Sequence, residues 1–141
     1  MAITFTKWGG NLGLEQYIIN NTGCKPYSGA GINIRQSNKT AILKSVDNTY
    51  YYDDDLTDIN NPKYTLFGNY GDQDETEIRF NEPLLNLSKI ENIYLYKVSN
   101  SGKTNIYSWY GKYKIIDIIK KQHIDKNRDL RTIIVLSLKK F

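Results

Sequence analysis

One cysteine and one histidine in 141 residues leave little room for thiol, metal or triad chemistry. Cys24 has no second thiol for an internal disulfide, and Cys24 with His123 does not assemble a zinc ligand set. No Ser or Cys pattern around His123 suggests a nucleophile and its base. Long apolar runs are also missing. None approaches the roughly 18 residues that span a bilayer, and the N-terminal Met-Ala-Ile-Thr-Phe-Thr-Lys is not the apolar core of a signal peptide. These absences point to an intracellular protein, cytoplasmic or nuclear, with no membrane partner. Neither a G-x-G-x-x-G run nor a Walker lysine is present, so no cofactor is expected. With three prolines, no linker, no repeat and no low-complexity tail, residues 1–141 read as a single domain large enough to bury its own core.

Charge is unevenly spread. The formal net charge is +4 and the pI is near 9.0. From Ile93 onward there are eleven Lys and Arg against three Asp and Glu, whereas the first 92 residues hold eight against twelve. A basic half on a small domain is the footprint expected for contacts to phosphate, with salt-sensitive affinity. The plain alternative is a solvated lysine-rich surface. If the footprint is real, Lys112, Lys114, Lys120, Lys121 and Arg128 are the candidates to hold DNA phosphates.

Apolar positions at Leu12, Leu14, Tyr17, Ile18 and Ile19, with Gly23 behind them, predict a short helix over 12–21. Residues 25–38 carry Pro26, Gly29 and Gly31 and read as loop. Beyond them the pattern is β-rich: strands are expected at 41–46, 49–52, 63–67, 92–98, 105–109, 113–119 and 132–138. Ser99-Asn100-Ser101-Gly102 marks a hairpin turn, and the charged stretch 120–131 reads as the loop between the last two strands. Residues 74–87 are a second helical candidate interrupted at Pro83. The sum is an α+β domain built on a curved sheet or small β-barrel with two or more short flanking helices.

The chain holds twelve tyrosines, and most of them suit strands and core. Tyr52 and Tyr64 differ because of their company. Asp55 follows Tyr52 by three residues, and Tyr64-Thr65 comes nine residues after Asp55. Two tyrosine faces suit a flat ring between them, and an ionised Asp accepts hydrogen bonds only. It can take the exocyclic amino proton of cytosine while rejecting the carbonyl of thymine. The run Asp53-Asp54-Asp55 also admits a magnesium site for nucleic-acid cleavage, or a solvated acidic turn. Against the metal, alternate side chains of an extended segment point to opposite faces.

At these residues the chain resembles the SRA (SET and RING associated, or YDG) family of modified-cytosine readers. There a Tyr-x-x-Asp is followed after the same interval by Tyr-Thr, matched by Tyr52, Asp55, Tyr64 and Thr65. Gly31-Ile32, Asn81-Glu82-Pro83-Leu84 and the strand Ile93 to Lys97 match further family segments. The Tyr-Asp-Gly motif corresponds to Trp109-Tyr110-Gly111, which keeps the glycine, and Tyr-Lys-Val to Tyr113-Lys114-Ile115. Coverage runs from about Gly31 to the C-terminus, with residues 1–30 outside it. The resemblance implies a PUA-like, SRA-type fold and a non-enzymatic partner of double-stranded DNA. The base, 5-methylcytosine or 5-hydroxymethylcytosine, would be flipped into a pocket of Tyr52, Asp55, Tyr64 and Thr65. Any effector would be a separate protein. An RNA-binding PUA-like module and a metal-dependent nuclease acting on modified DNA are the alternatives.

Overall fold

The computed structural model describes residues 3–26, 32–35, 39–46, 56, 58–65, 91–101, 104–124, 128 and 130–141. Of residues 32–35, 46, 101, 120, 121, 123, 124 and 131–133 it describes the backbone alone. Within these bounds one helix, α1 (Leu14–Thr22), accompanies seven strands: β1 (Ile3–Phe5), β2 (Ile32–Arg35), β3 (Thr40–Val46), β4 (Lys63–Thr65), β5 (Asn92–Ser101), β6 (Thr104–Ile124) and β7 (Leu130–Lys140). They form one mixed sheet in the order β2-β3-β5-β6-β7-β4, with β1 added beside β6. β3 and β5 run parallel and every other pair is antiparallel.

Strand periodicity sorts the apolar residues into two layers. Ala41, Leu43, Ile93, Leu95, Tyr113, Ile134, Leu136 and Leu138 pack on one face together with Tyr64. Ile42, Tyr96 and Trp109 face the other way, onto Leu14 and Ile18 of α1. Because both faces are covered, β3 and β5 read as nearly continuous apolar runs. Burying Leu14 and Ile18 fully is worth about 1.5–3 kcal/mol each, which is what holds so short a helix in place. The helix stops at Gly23, whose φ of 71° is left-handed and whose N–H reaches the Ile19 carbonyl at 3.0 Å. Its first amides are met by the Lys7 and Trp8 carbonyls. Around it lies an aromatic layer: Trp8 against Tyr96 and Tyr107, Tyr17 against Phe5 and Trp109, and Tyr94 stacked on Trp109 at 5.6 Å between centroids. The buried Tyr96 hydroxyl has no hydrogen-bond partner among the described residues, and burial, then Tyr107, pushes its ionisation upward.

The sheet is strongly curled. Four strand spacings separate β3 from β4 along the sheet, about 19 Å if it were flat and far beyond a tyrosine's reach. Yet the Tyr64 hydroxyl on β4 donates to the Lys44 carbonyl on β3 at 3.0 Å. The first apolar layer is therefore wrapped inside the curl, and α1 packs outside it. The turn in partnership occurs along β6. Its first part pairs with β5 and β1, and from Tyr113 it pairs with β7. Gly111 sits at the irregularity opposite Leu95 and Tyr96 with φ of 95°, a conformation that glycine adopts readily.

Several expectations change. The loop expected over 25–38 contains β2, because its residues Ile32 to Arg35 find an edge in β3. The hairpin expected around Ser99-Asn100-Ser101-Gly102 joins β5 and β6, with longer strands than expected: Ser99-Asn100-Ser101 pair with Ile106-Asn105-Thr104. The segments 105–109 and 113–119 are one continuous strand, and the charged stretch expected as loop over 120–131 is largely ladder, with Lys120 to Ile124 opposite Ile134 to Leu130. The expected pairing of 113–119 with 132–138 is present, with a second irregularity at Ile116. Among the described residues one helix stands where two or more were expected. The helix at 74–87 and the strand at 49–52 lie outside the described residues.

Candidate functional site

Of the four pocket residues expected from the sequence, Tyr64 and Thr65 are described, and Tyr52 and Asp55 lie outside the described residues. Tyr64 and Thr65 are neighbours on β4, so the pleat sends their side chains to opposite faces. Tyr64 pairs with Leu136 and joins the interior layer, 4% exposed. Thr65 pairs with Val135 and is buried on the other side.

What fixes β4 is the segment before it. Asp58 makes a tight turn, accepting from the Asn60 amide through Oδ1 at 3.0 Å and from the Asn61 amide through its carbonyl at 3.1 Å. The turn is then fastened to β6 and β7. The Tyr113 hydroxyl donates to the Ile59 carbonyl at 2.6 Å, the Lys140 amide to Asn60 at 2.8 Å and the Leu138 amide to Pro62 at 2.9 Å. The Asn61 side chain donates to the Leu138 carbonyl, and Lys63 Nζ bridges Asn61 Oδ1 and Ser137 Oγ at 2.8 and 2.9 Å. Leu56, the residue after Asp55, packs against the same interior layer as Tyr64.

Two ionisable groups here are displaced by burial. The Tyr113 phenol is pushed up to about 12 by loss of solvent, then by Tyr110 and Asp58. Lys140 is held below the usual lysine value by desolvation. Its ammonium lies over the Tyr113 ring at 4.8 Å and donates to the Tyr110 carbonyl, so it braces the Gly111 irregularity. Lys44 is likewise lowered by burial.

The basic candidates separate by surroundings. Lys112 is half-buried with its ammonium 4.2 Å from the centroid of the Phe141 ring, and Lys114 is exposed. Lys120 and Lys121 occupy β6 opposite Ile134 and Ile133. Arg128 is exposed, with a left-handed φ of 66° between β6 and β7. Lys139 was not among the candidates. It is exposed and lies directly opposite Lys114 on the β6–β7 ladder. Among the described residues no group of three or more His, Cys, Asp or Glu could hold a metal ion, and no helix is long and apolar enough to cross a membrane.

No protein-family model matches the chain, and no curated protein matches it. Solved structures do. KRYPTONITE, in its complex with mCHG DNA and SAH, aligns with a TM-score of 0.64 at 14% identity over 100% of this chain. The sulfur binding and SRA domains of ScoMcrA, complexed with phosphorothioated DNA, align at 0.60 and 18% identity over 99% of this chain. The modification-dependent restriction endonuclease TagI aligns at 0.62 and 16% over 99%. The chain spans 32%, 39% and 49% of those three chains, respectively. Alignment over essentially the whole chain, with a curled mixed sheet around one interior layer, gives this protein an SRA-like fold.

Proposed function

We propose that the chain is a DNA-binding module, without catalytic activity of its own, that reads a modified cytosine flipped out of duplex DNA. In this reading the curled sheet is a PUA-like barrel and the base enters beside β4. Asp55 accepts from the N4 amino group, Tyr52 stacks on the free face, and Tyr64 is the fixed wall, its ring held by the Lys44 carbonyl. Since Tyr64 is covered in this structure, base entry displaces side chains of the interior layer, against which Leu56 also packs. Backbone groups at Thr65 meet the Watson–Crick edge. Lys112, Lys114, Lys120, Lys121 and Arg128 meet phosphates. The preferred base is 5-methylcytosine or 5-hydroxymethylcytosine, and any cleavage belongs to a separate effector.

The observation that carries this reading is the Tyr-x-x-Asp and Tyr-Thr spacing on a fold shared with KRYPTONITE in complex with mCHG DNA. Flipping costs a few kcal/mol, which stacking, one charge-assisted hydrogen bond and phosphate contacts together exceed. The test is binding to matched duplexes carrying cytosine, 5-methylcytosine, 5-hydroxymethylcytosine or its glucosylated form at one site. Preference for a methylated or hydroxymethylated duplex is expected, and Asp55→Ala should abolish it while sparing salt-sensitive nonspecific binding. Full discrimination by Asp55→Ala refutes the pocket. Tighter binding to structured RNA, or metal-dependent cleavage lost on changing Asp53 or Asp55, replaces it with the corresponding alternative.

A further inference from the structure

β6 is 21 residues long, and β5 accompanies it only as far as Tyr113. β4 supports β7 at Val135 to Ser137. Beyond those points β6 and β7 continue, among the described residues, as a two-stranded ladder to the Ile124–Leu130 pair. The described side chains near its end are exposed: Gln122, Arg128 and Leu130, the last at 75%. Between Lys112 and Lys140 the chain carries nine Lys and Arg against three Asp.

The placement of these charges is specific. Lys114 and Lys139 are directly opposite each other, both exposed, and like charges in that position repel. Further out, His123 is paired with Arg131, and Lys121 lies two residues before His123. Like charges thus face each other across the inner end of the ladder, an arrangement that is unfavourable alone and relieved by a polyanion lying along it, and Lys121 and Arg131 add positive charge at its outer end. From Lys114 to Ile124 the ladder measures roughly 30 Å, about nine base pairs of duplex.

We infer that the β6–β7 ribbon is a tracking arm laid along the backbone of duplex DNA to one side of the reading site. Lys114 and Lys139 form its inner phosphate contact, and Lys121, His123 and Arg131, with Arg128 at the turn, form its outer one. This rests on the DNA-binding reading and adds a direction and a length to it. The arm supplies affinity and leaves base selection to the pocket.

The experiment uses the full chain and duplexes with one 5-methylcytosine, shortened base pair by base pair from either end. Wild type should lose affinity on one side when fewer than about nine base pairs remain there, and should tolerate a much shorter flank on the other. Lys114→Gln with Lys139→Gln, and separately Lys121→Gln with Arg131→Gln, should each lower the slope of log affinity against log salt by about 2. The modified-to-unmodified ratio should be unchanged. Lys7→Gln with Lys25→Gln, an equal charge loss outside the ribbon, should leave the slope nearly intact, and matching thermal unfolding confirms that each variant folds. Salt slopes equal to wild type in both ribbon variants, or symmetric length dependence, overturn the arm while leaving a base reader in place. Absence of duplex binding by wild type, or stronger binding to an RNA duplex of the same length, overturns the reading and the arm together.

Discussion

Tyr64→Phe deletes one oxygen and tests the curl of the sheet. That hydroxyl links β4 to the Lys44 carbonyl across the interior, between strands that lie four places apart in the sheet order. A buried hydrogen bond contributes about 1 kcal/mol net, and weakening the satisfaction of a buried carbonyl adds to that, so the expected loss is about 1–2 kcal/mol. Tyr64→Ala also removes a ring that is 4% exposed and packed among Leu43, Ile93 and Leu136, and should cost about 3–5 kcal/mol. Equilibrium urea unfolding read by tryptophan fluorescence distinguishes the two: both midpoints fall with the slope preserved. Tyr64→Phe keeps the ring and therefore the modified-cytosine preference. A Tyr64→Phe protein within about 0.5 kcal/mol of wild type would refute the argument, since the hydroxyl would then be holding nothing across the interior.

Gly111→Ala should destabilise by roughly 1–2 kcal/mol, because φ of 95° is strained for any residue with a Cβ. The new Cβ would also lie 2.6 Å from Lys140 Nζ, and that flexible chain end yields; an unchanged thermal midpoint would mean that the irregularity relaxes at no cost. Tyr113 sets an alkaline limit. Its phenol ionises near 10.0 when unfolded and is pushed up to about 12 in the fold, so the neutral form stabilises the protein fully below pH 10. That stability is lost as the pH rises from 10 to 12, by roughly 2–3 kcal/mol. Urea midpoints across that range should fall in wild type and fall less in Tyr113→Phe, and parallel declines would exclude this phenol as the cause.

Local patterns made part of this fold legible. The stop of α1 at Gly23, the strand over 41–46 and the pairing of 113–119 with 132–138 follow from a helix-ending glycine and from β-branched runs. Tyr94, Tyr96, Tyr107 and Tyr113 are in the two apolar layers, as expected of most of the tyrosines. The errors share one cause. Polar composition made 99–101 and 120–124 look like turn and loop, but backbone pairing with a neighbouring strand does not require apolar side chains, and β5 continues through Ser101 and β6 through Ile124. At the site, spacing singled out Tyr64 and Thr65, yet adjacency on a strand is what parts their side chains. Lys139 escaped notice because its significance lies in a cross-strand register that no local window contains.

The interval between Asp55 and Tyr64 has a structural reason that is independent of any base. Residues 58–62 are fastened along the end of β7 by backbone carbonyls at Ile59, Asn60 and Pro62, and by the Asn61 side chain. Each of those bonds engages β6 or β7, so the turn has no freedom to slide relative to Tyr64, which pairs with β7 two residues further on. Asp55 lies three peptide links before Asp58, a tether of roughly 11 Å at full extension, and Leu56 is already packed on the layer that holds Tyr64. Inserting a residue between Pro62 and Tyr64 would reverse which side of β4 faces the interior. Inserting one between Leu56 and Asp58 would leave every fastening bond intact and change only the tether. The second insertion should therefore unfold nothing and selectively weaken modified-base preference, whereas the first should compromise folding itself.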